Sequence, residues 1–231
     1  MRFQCGHCQG VLAIEDSEAG QPVECGHCGT VVLVPPSRVA PGAVIDDFVI
    51  RRELGKGGMG TVYLAHQLSL DRPAALKILH SQFCRETDFT DDFIREARAA
   101  ARLNHPNMVQ AYAVGEDEGI YFFAMEYVDG STLKQVLAHS GRMVVDRGLD
   151  IVLQVATALD VAWTQQELVH RDIKPDNIIL QEGGAVKLAD LGLARLGGEP
   201  LPESADEIMG TPEYISPEQL LGRSVDTRSD I

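Results

Sequence analysis

HRDIKPDNIIL, residues 170–180, sets an acid, an amine and an amide at fixed intervals in an otherwise apolar stretch. Asp172 can accept the proton of a hydroxyl nucleophile. Lys174, two residues on, can neutralise a transferring phosphoryl group. Asn177 offers a neutral oxygen to Mg²⁺, a hard cation that seeks oxygen ligands. Just downstream, KLADLGLAR (187–195) supplies Asp190 before Leu191 and Gly192. A carboxylate after a strand and before a glycine is well placed to chelate Mg²⁺ on the β- and γ-phosphates of a nucleotide. No packing requirement explains these groups at these intervals.

Upstream, LGKGGMGTV (54–62) carries Gly55, Gly57, Gly60 and Val62 in a G-x-G-x-x-G-x-V pattern. Glycines let backbone N–H groups approach phosphates without a side-chain clash. A dinucleotide fingerprint would open a helix. Here β-branched TVYLA follows, so the loop is expected to join two strands and act as a flap over ATP. Lys77 comes fifteen residues after Val62, at the end of the strand-like AALKIL (74–79). It can reach α- and β-phosphates as a point charge and needs a carboxylate to hold it. Glu96, on a helix expected at about 90–103, is the candidate partner. The plainer readings are a solvated edge lysine and a surface helix ion pair.

Taken in order, these motifs make the chain from about Phe48 onward resemble a eukaryotic-type (Hanks-type) Ser/Thr protein kinase of the sort found in bacteria. The resemblance implies an α+β, bilobal protein-kinase-like fold, with a β-rich N-lobe at about 45–128 and a partial, helical C-lobe at about 129–231. It implies ATP in the cleft between lobes, Mg²⁺ or Mn²⁺ held by Asn177 and Asp190, and Asp172, Lys174, Lys77 and Glu96 as catalytic residues. Nucleotide contacts are carried over onto Leu54, Gly55, Lys56, Gly57, Gly58, Met59, Gly60, Thr61, Val62, Ala75, Lys77 and Ile179. Met125 becomes the gatekeeper, and Glu126 and Val128 offer backbone hydrogen bonds to adenine. Lys174 and the GTPEY…SPE stretch (210–218) favour Ser/Thr over Tyr acceptors, with Thr211 contacting Asp172. Protein substrates are the implied partners.

The first 34 residues have a different character. CGHCQGVLAI (5–14) is echoed at an offset of twenty by CGHCGTVVLV (25–34). Cys5, Cys8, Cys25 and Cys28 form two Cys-x-x-Cys pairs with sixteen residues between them, room for a strand out and a strand back. Zn²⁺ takes four thiolates at tetrahedral corners, and so short a segment needs a staple to fold. The segment therefore resembles a zinc ribbon with a structural Zn²⁺, in a reducing compartment. His7 and His27 are read as exposed turn residues, since four cysteines complete the shell. The proline-bearing 35–44 reads as a linker, and 45–231 as the kinase portion.

Composition bounds the rest. The chain has 231 residues, 45% hydrophobic and 23% charged, with a net charge of −14. That acidity excludes broad nucleic-acid binding. Residues 1–44 have only Arg2 and Arg38 against four carboxylates, so the ribbon is expected to be structural or to dock a protein. No apolar stretch is long enough for a membrane span. The start is no secretory signal. The expected location is the cytoplasm, with a full-length protein open to anchoring through a region beyond residue 231.

Three departures from the family pattern stand out. Leu191 replaces the usual Phe, Ser216 replaces Ala, and the sequence stops at RSDI (228–231), before the family's last helices. Asp230 is expected to anchor the catalytic-loop backbone, while the Arg that normally pairs with Glu218 falls outside. Apolar helix faces, such as that of Leu149, Val152, Ala156, Leu159 and Trp163, are then expected to lie uncovered. The resemblance implies that Arg171 receives a group from the activation segment, either phosphorylated Ser204 or a carboxylate among Glu199, Glu203, Asp206 and Glu207; the alternative reading of 193–210 is a solvated acidic loop. The alternative function is an inactive truncated kinase, or a nucleotide-binding scaffold with a ribbon adaptor.

Overall fold

The computed structural model describes residues 1–85, 87–190, 195–196 and 213–231. The chain forms two compact units, one of residues 1–90 and 112–127, the other of 91–111 and 128–231.

The first unit is built on one eight-stranded sheet, with a separate two-stranded hairpin beside it. Its strands are β1 (Arg2–Gln4), β2 (Val11–Ala13), β3 (Pro22–Glu24), β4 (Val31–Leu33), β5 (Ala43–Ile45), β6 (Phe48–Lys56), β7 (Gly60–Gln67) and β8 (Arg72–Leu79). After α1 (Thr87–Ala100) come β9 (Ala111–Asp117) and β10 (Ile120–Glu126). The sheet runs β2-β1-β5-β6-β7-β8-β10-β9, and β3 pairs with β4 alone. The apolar runs read from the sequence become its central strands because each buries one face. Ile45, Phe48, Ile50, Leu76 and Phe122 are almost wholly buried in one cluster. Burial of each such side chain contributes about 1.5–3 kcal/mol. Phe48 and Phe122 meet with ring centroids 5.9 Å apart.

The repeat in the first 34 residues produces two similar hairpins with different partners. The β1–β2 hairpin joins the large sheet, where Arg2 pairs with Val44 and Phe3 with Ala43. Phe3, Val34, Ala43 and Met1 form its small core, with Leu12, Ile14, Val23 and Val32 packed against them. Residues 35–42 lead directly into β5, with Ala40 and Ala43 buried.

A charged cluster ties this corner together. Asp16 accepts from the N-terminal ammonium at 2.8 Å and from Arg38 at 2.7 Å. These two cations hold the Asp16 carboxyl down at about 2, below its ordinary 3.8, with Arg38 the larger cause. A lowered folded-state pKa stabilises above the unfolded value and is lost as pH falls through about 2. Arg38→Ala is therefore expected to move the Asp16 titration up toward 3.8, read from its carboxyl carbon by NMR. A midpoint that stays near 2 would show that Arg38 is not the cause.

In the second unit, the chain runs through β11 (Ser131–Thr132), α2 (Leu133–Ser140), α3 (Val145–Gln166), β12 (Leu168–Val169), β13 (Ile178–Leu180), β14 (Val186–Leu188), β15 (Arg195–Leu196) and α4 (Pro217–Leu220). Thr132 and Gln135 form a reciprocal cap on α2, and Gly141 closes it with φ at 71°. Helix α3 buries Ile151, Val155, Ala158 and Ala162. Two clusters form on that stripe: one with Ala100, Leu103, Met108 and Leu168, the other with Ile178, Val186 and Leu188. The face expected from the sequence to lie uncovered is open at Leu149 and Val152, 63% and 65% exposed. α3 is apolar around most of its circumference, so periodicity offers two faces, and partners rather than pattern select one.

Candidate catalytic loop and metal site

Residues 170–174, between β12 and a single 3-10 turn at Pro175–Asn177, have no regular structure, so their backbone is held by side chains. Asp230 accepts hydrogen bonds from the N–H of His170 and of Arg171, both at 2.7 Å. Burial raises the Asp230 carboxyl above its ordinary value, opposed by His170, Arg171 and the two backbone bonds. Arg171 sits in the left-handed region at φ 68°. Its carbonyl accepts from the buried Gln219 amide at 2.9 Å. The His170 ring completes the frame. Its Nδ1 accepts from the Asp172 N–H at 3.3 Å, and Nε2 lies 3.1 Å from the Ala189 carbonyl. A carbonyl only accepts, so Nε2 carries the proton.

Asp172, Lys174 and Asn177 converge inside this frame. Lys174 Nζ lies 2.7 Å from Asp172 Oδ2. Asn177 Nδ2 donates to Asp172 Oδ2 at 3.0 Å and to the Asp172 carbonyl at 2.8 Å. Asp172 and Asn177 are both buried. With its nitrogen committed to Asp172, Asn177 is left with Oδ1 as an oxygen donor. Asn177 also holds the residue that follows β14, its carbonyl accepting from the Ala189 N–H at 2.8 Å. Asp190 follows at once, in the left-handed region at φ 61°. A non-glycine residue held there stores about 1–3 kcal/mol of strain, a pattern common where position matters more than comfort.

The first unit carries the other motif residues. Lys77 lies in mid-strand on β8, opposite Val62 on β7 and Phe123 on β10, and is buried. Ala75 pairs with Met125, and Glu126 ends β10. The glycine loop closes the β6–β7 hairpin, with Gly57 N–H donating to the Gly60 carbonyl at 2.9 Å. The glycines divide into two kinds. A Cβ on Gly60 would lie 2.3 Å from the Ile78 carbonyl, so strand packing itself requires that glycine. A Cβ on Gly55 or Gly58 would meet nothing within 4 Å.

The four cysteines of the repeat form a cluster. Their Sγ atoms all lie within 4.8 Å of one another, with Cys8 and Cys25 3.8 Å apart. Tetrahedral Zn²⁺, with bonds of about 2.3 Å to sulfur, places its ligands about 3.8 Å apart. All five cysteines are free thiols. Crowding spreads their acidities. Thr30 brings Cys28 down to about 5, and N–H groups of Cys8 and His7 lower Cys5. For Cys8, the Gly10 N–H pulls down, but burial and three neighbouring thiols outweigh it and push it up to about 11. A dication removes that mutual repulsion, so the donor set fits zinc. His27 is more than an exposed turn residue, because its Nε2 lies 3.2 Å from the Val11 carbonyl and its ring sits over Gly10, tying one Cys-x-x-Cys turn to the other.

Comparison with known proteins decides what this scaffold is. The model of the protein kinase domain matches residues 48–231. The chain belongs to the protein kinase family. The Bacillus subtilis serine/threonine-protein kinase PrkC is 39% identical over 184 residues, covering 80% of this chain and 28% of PrkC. A probable serine/threonine-protein kinase of Streptomyces coelicolor, SCO3848, is 44% identical, covering 77% of this chain and 27% of its own length. The chain thus spans less than a third of these two relatives. Among solved structures, the Mycobacterium tuberculosis PknI kinase domain matches with a TM-score of 0.65 at 34% identity, over 83% of this chain and 72% of that one.

Against the kinase pattern, the structure brings Asp172, Lys174 and Asn177 together in the second unit and sets Asp190 directly after Ala189, which Asn177 holds. Glu96 lies on α1, but its side chain is outside the described residues, as are Thr211, Leu191 and Ser204. Sequence reasoning missed Gln219. Its signal was readable as Ser216-x-x-Gln219, a reciprocal cap on α4, which the structure bears out. The second bond of that amide, to the catalytic loop, has no local signature.

Proposed function

We propose that the chain is an ATP-dependent protein kinase that phosphorylates Ser and Thr hydroxyls of protein substrates. The observation that carries this reading is the convergence of Lys174 and the buried Asp172 and Asn177, since family membership alone does not guarantee retained chemistry. Asp172 accepts the hydroxyl proton of the substrate. Lys174 neutralises the oxygens of the transferring group. Asn177 Oδ1 and Asp190 would hold Mg²⁺ or Mn²⁺, which supplies charge neutralisation at the phosphates. Lys77 binds the α- and β-phosphates, with Glu96 as its partner. Backbone N–H groups at Gly55 and Gly58 approach the phosphates, and the open space there supports this, because the fold itself does not demand glycine at those positions, while the Gly57 N–H closes the turn on the Gly60 carbonyl. Met125, Glu126 and Val128 serve the adenine, and Thr211 shapes the acceptor site.

Residues 1–34 are a zinc-ribbon module, 35–44 its connection, and 45–231 the kinase portion. Cys5, Cys8, Cys25 and Cys28 hold one structural Zn²⁺. Free thiols in this arrangement support a reducing compartment such as the cytoplasm. No helix among the described residues is long and apolar enough to cross a membrane. A scaffold lacking catalysis would be marked by loss of Lys77, Asp172 or Asp190, and all three are present.

The direct test is transfer of the γ-phosphoryl group from labelled ATP to a generic basic protein, followed by phosphoamino-acid analysis. Label on Ser or Thr supports the reading. Nucleotide binding without any transfer would favour the scaffold.

A further inference from the structure

The ribbon is fastened to the kinase sheet at two separate places. Its strand β1 pairs with β5, and Gln4 N–H also donates to the Gly42 carbonyl at 2.9 Å. Strand β5 runs within three residues into β6, the strand that ends at the glycine loop. The second place is the turn between β9 and β10. Arg2 lies 2.8 Å from Asp117, and Asp117 also accepts from the Asp46 N–H at 2.7 Å. Arg38 bridges Asp16 of the ribbon and Glu118 of the same turn. β5 and β9 are far apart in strand order, yet both touch this one module.

The ribbon itself has little else to hold it. Hairpin β3–β4 belongs to no larger sheet, and Val31 and Leu33 on it are largely exposed. Its links to β1–β2 include the small core around Phe3 and Val34, the His27 contact, a hydrogen bond between His7 and Cys28, and the four thiols. A core of this size does not fold unaided. Metal at the thiols ties the two hairpins together, and β1 can grip β5 only while its own hairpin is ordered.

Resting on the zinc and kinase readings above, we propose that the ribbon is a metal-dependent brace. Zn²⁺ at the four cysteines orders β1, and through it β5–β6 and the β9–β10 turn, so metal occupancy sets nucleotide affinity. The adaptor reading, by contrast, needs a module that moves freely on a tether. Here Val34, Ala40 and Ala43 are buried, and the connecting segment is part of the structure.

The test uses the whole 231-residue chain, kept reduced and stripped with a zinc-selective chelator. Hydrogen exchange is followed as one equivalent of Zn²⁺ is returned, with Co²⁺ absorbance reporting tetrahedral thiolate binding. Amides in 43–56 and 111–120 are expected to slow by about tenfold. The dissociation constant for Mg²⁺ with a non-hydrolysable ATP analogue is expected to fall several-fold. In Asp117→Asn the metal should still bind, but protection of 111–120 should be lost. Metal binding that leaves 43–56 and 111–120 unmoved overturns the brace while sparing the zinc site. No metal binding overturns both. An analogue that fails to bind with or without zinc counts against the kinase reading and against the affinity step, while the exchange result judges the brace on its own.

Discussion

Asp172→Asn is expected to lower phosphoryl transfer by about 10²–10⁴-fold, the usual contribution of a positioned general base, with little change in stability or in KM for ATP. The geometry explains the split. Asp172 Oδ2 receives Lys174 Nζ at 2.7 Å and Asn177 Nδ2 at 3.0 Å. Asn at position 172 is the same shape and can turn its amide oxygen toward both donors. Both of these hydrogen bonds can then be kept, so the frame from His170 to Asn177 should persist. Its other group becomes an NH₂, which cannot accept a proton from a substrate hydroxyl. The expected signature is a fallen kcat, an unchanged KM for ATP and an unchanged melting temperature. Activity within a few-fold of wild type would mean that Asp172 is structural and that proton removal is not its task. A large rise in the KM for ATP would instead place it among the nucleotide contacts.

The catalytic loop was legible because its chemistry is local. Asp172, Lys174 and Asn177 lie within six residues of one another, and short spacing in a turn converts directly into proximity. The cysteine cluster was legible for a related reason, since two Cys-x-x-Cys turns have few ways to fold except around one point. What the sequence hid was long-range. Nothing near Arg2 announces that it will meet Asp117, 115 residues on. Nothing in the proline-bearing 35–44 shows that its last residues will become a strand between ribbon and kinase. The glycine motif was half legible: the pattern marks Gly60 for a phosphate, whereas the structure shows that the Ile78 carbonyl already demands it. On α3, apolar residues on nearly every side made periodicity uninformative, and Ile151 and Val155 were chosen by β14 and its neighbours.

Asp230→Ala should be the most damaging substitution outside the reacting groups, and it separates position from chemistry. One carboxylate holds two consecutive N–H groups, those of His170 and Arg171, both buried. Removing it leaves two buried donors without a partner, at about 1–3 kcal/mol each. It also frees Arg171 from its left-handed conformation, which the carboxylate and Gln219 jointly enforce. Exchange of the 170 and 171 amides should rise sharply, and phosphoryl transfer should fall with it. Asp230→Asn is the milder companion. Its oxygen can accept one N–H, but its NH₂ faces the other, so it should lie between wild type and Ala. The two variants also differ in their response to pH. Burial raises the folded-state pKa of Asp230 above 3.8, so between 3.8 and the raised value the folded chain binds more protons than the unfolded one. The contribution of this group to stability therefore falls as pH rises through that window. Asp230→Asn removes that decline, and the slope of stability against pH should be less negative in the variant than in wild type. Equal slopes, or unchanged exchange at 170 and 171 in Asp230→Ala, would show that the loop is held by other bonds, with His170 to Ala189 and Gln219 to Arg171 the first to examine by substitution.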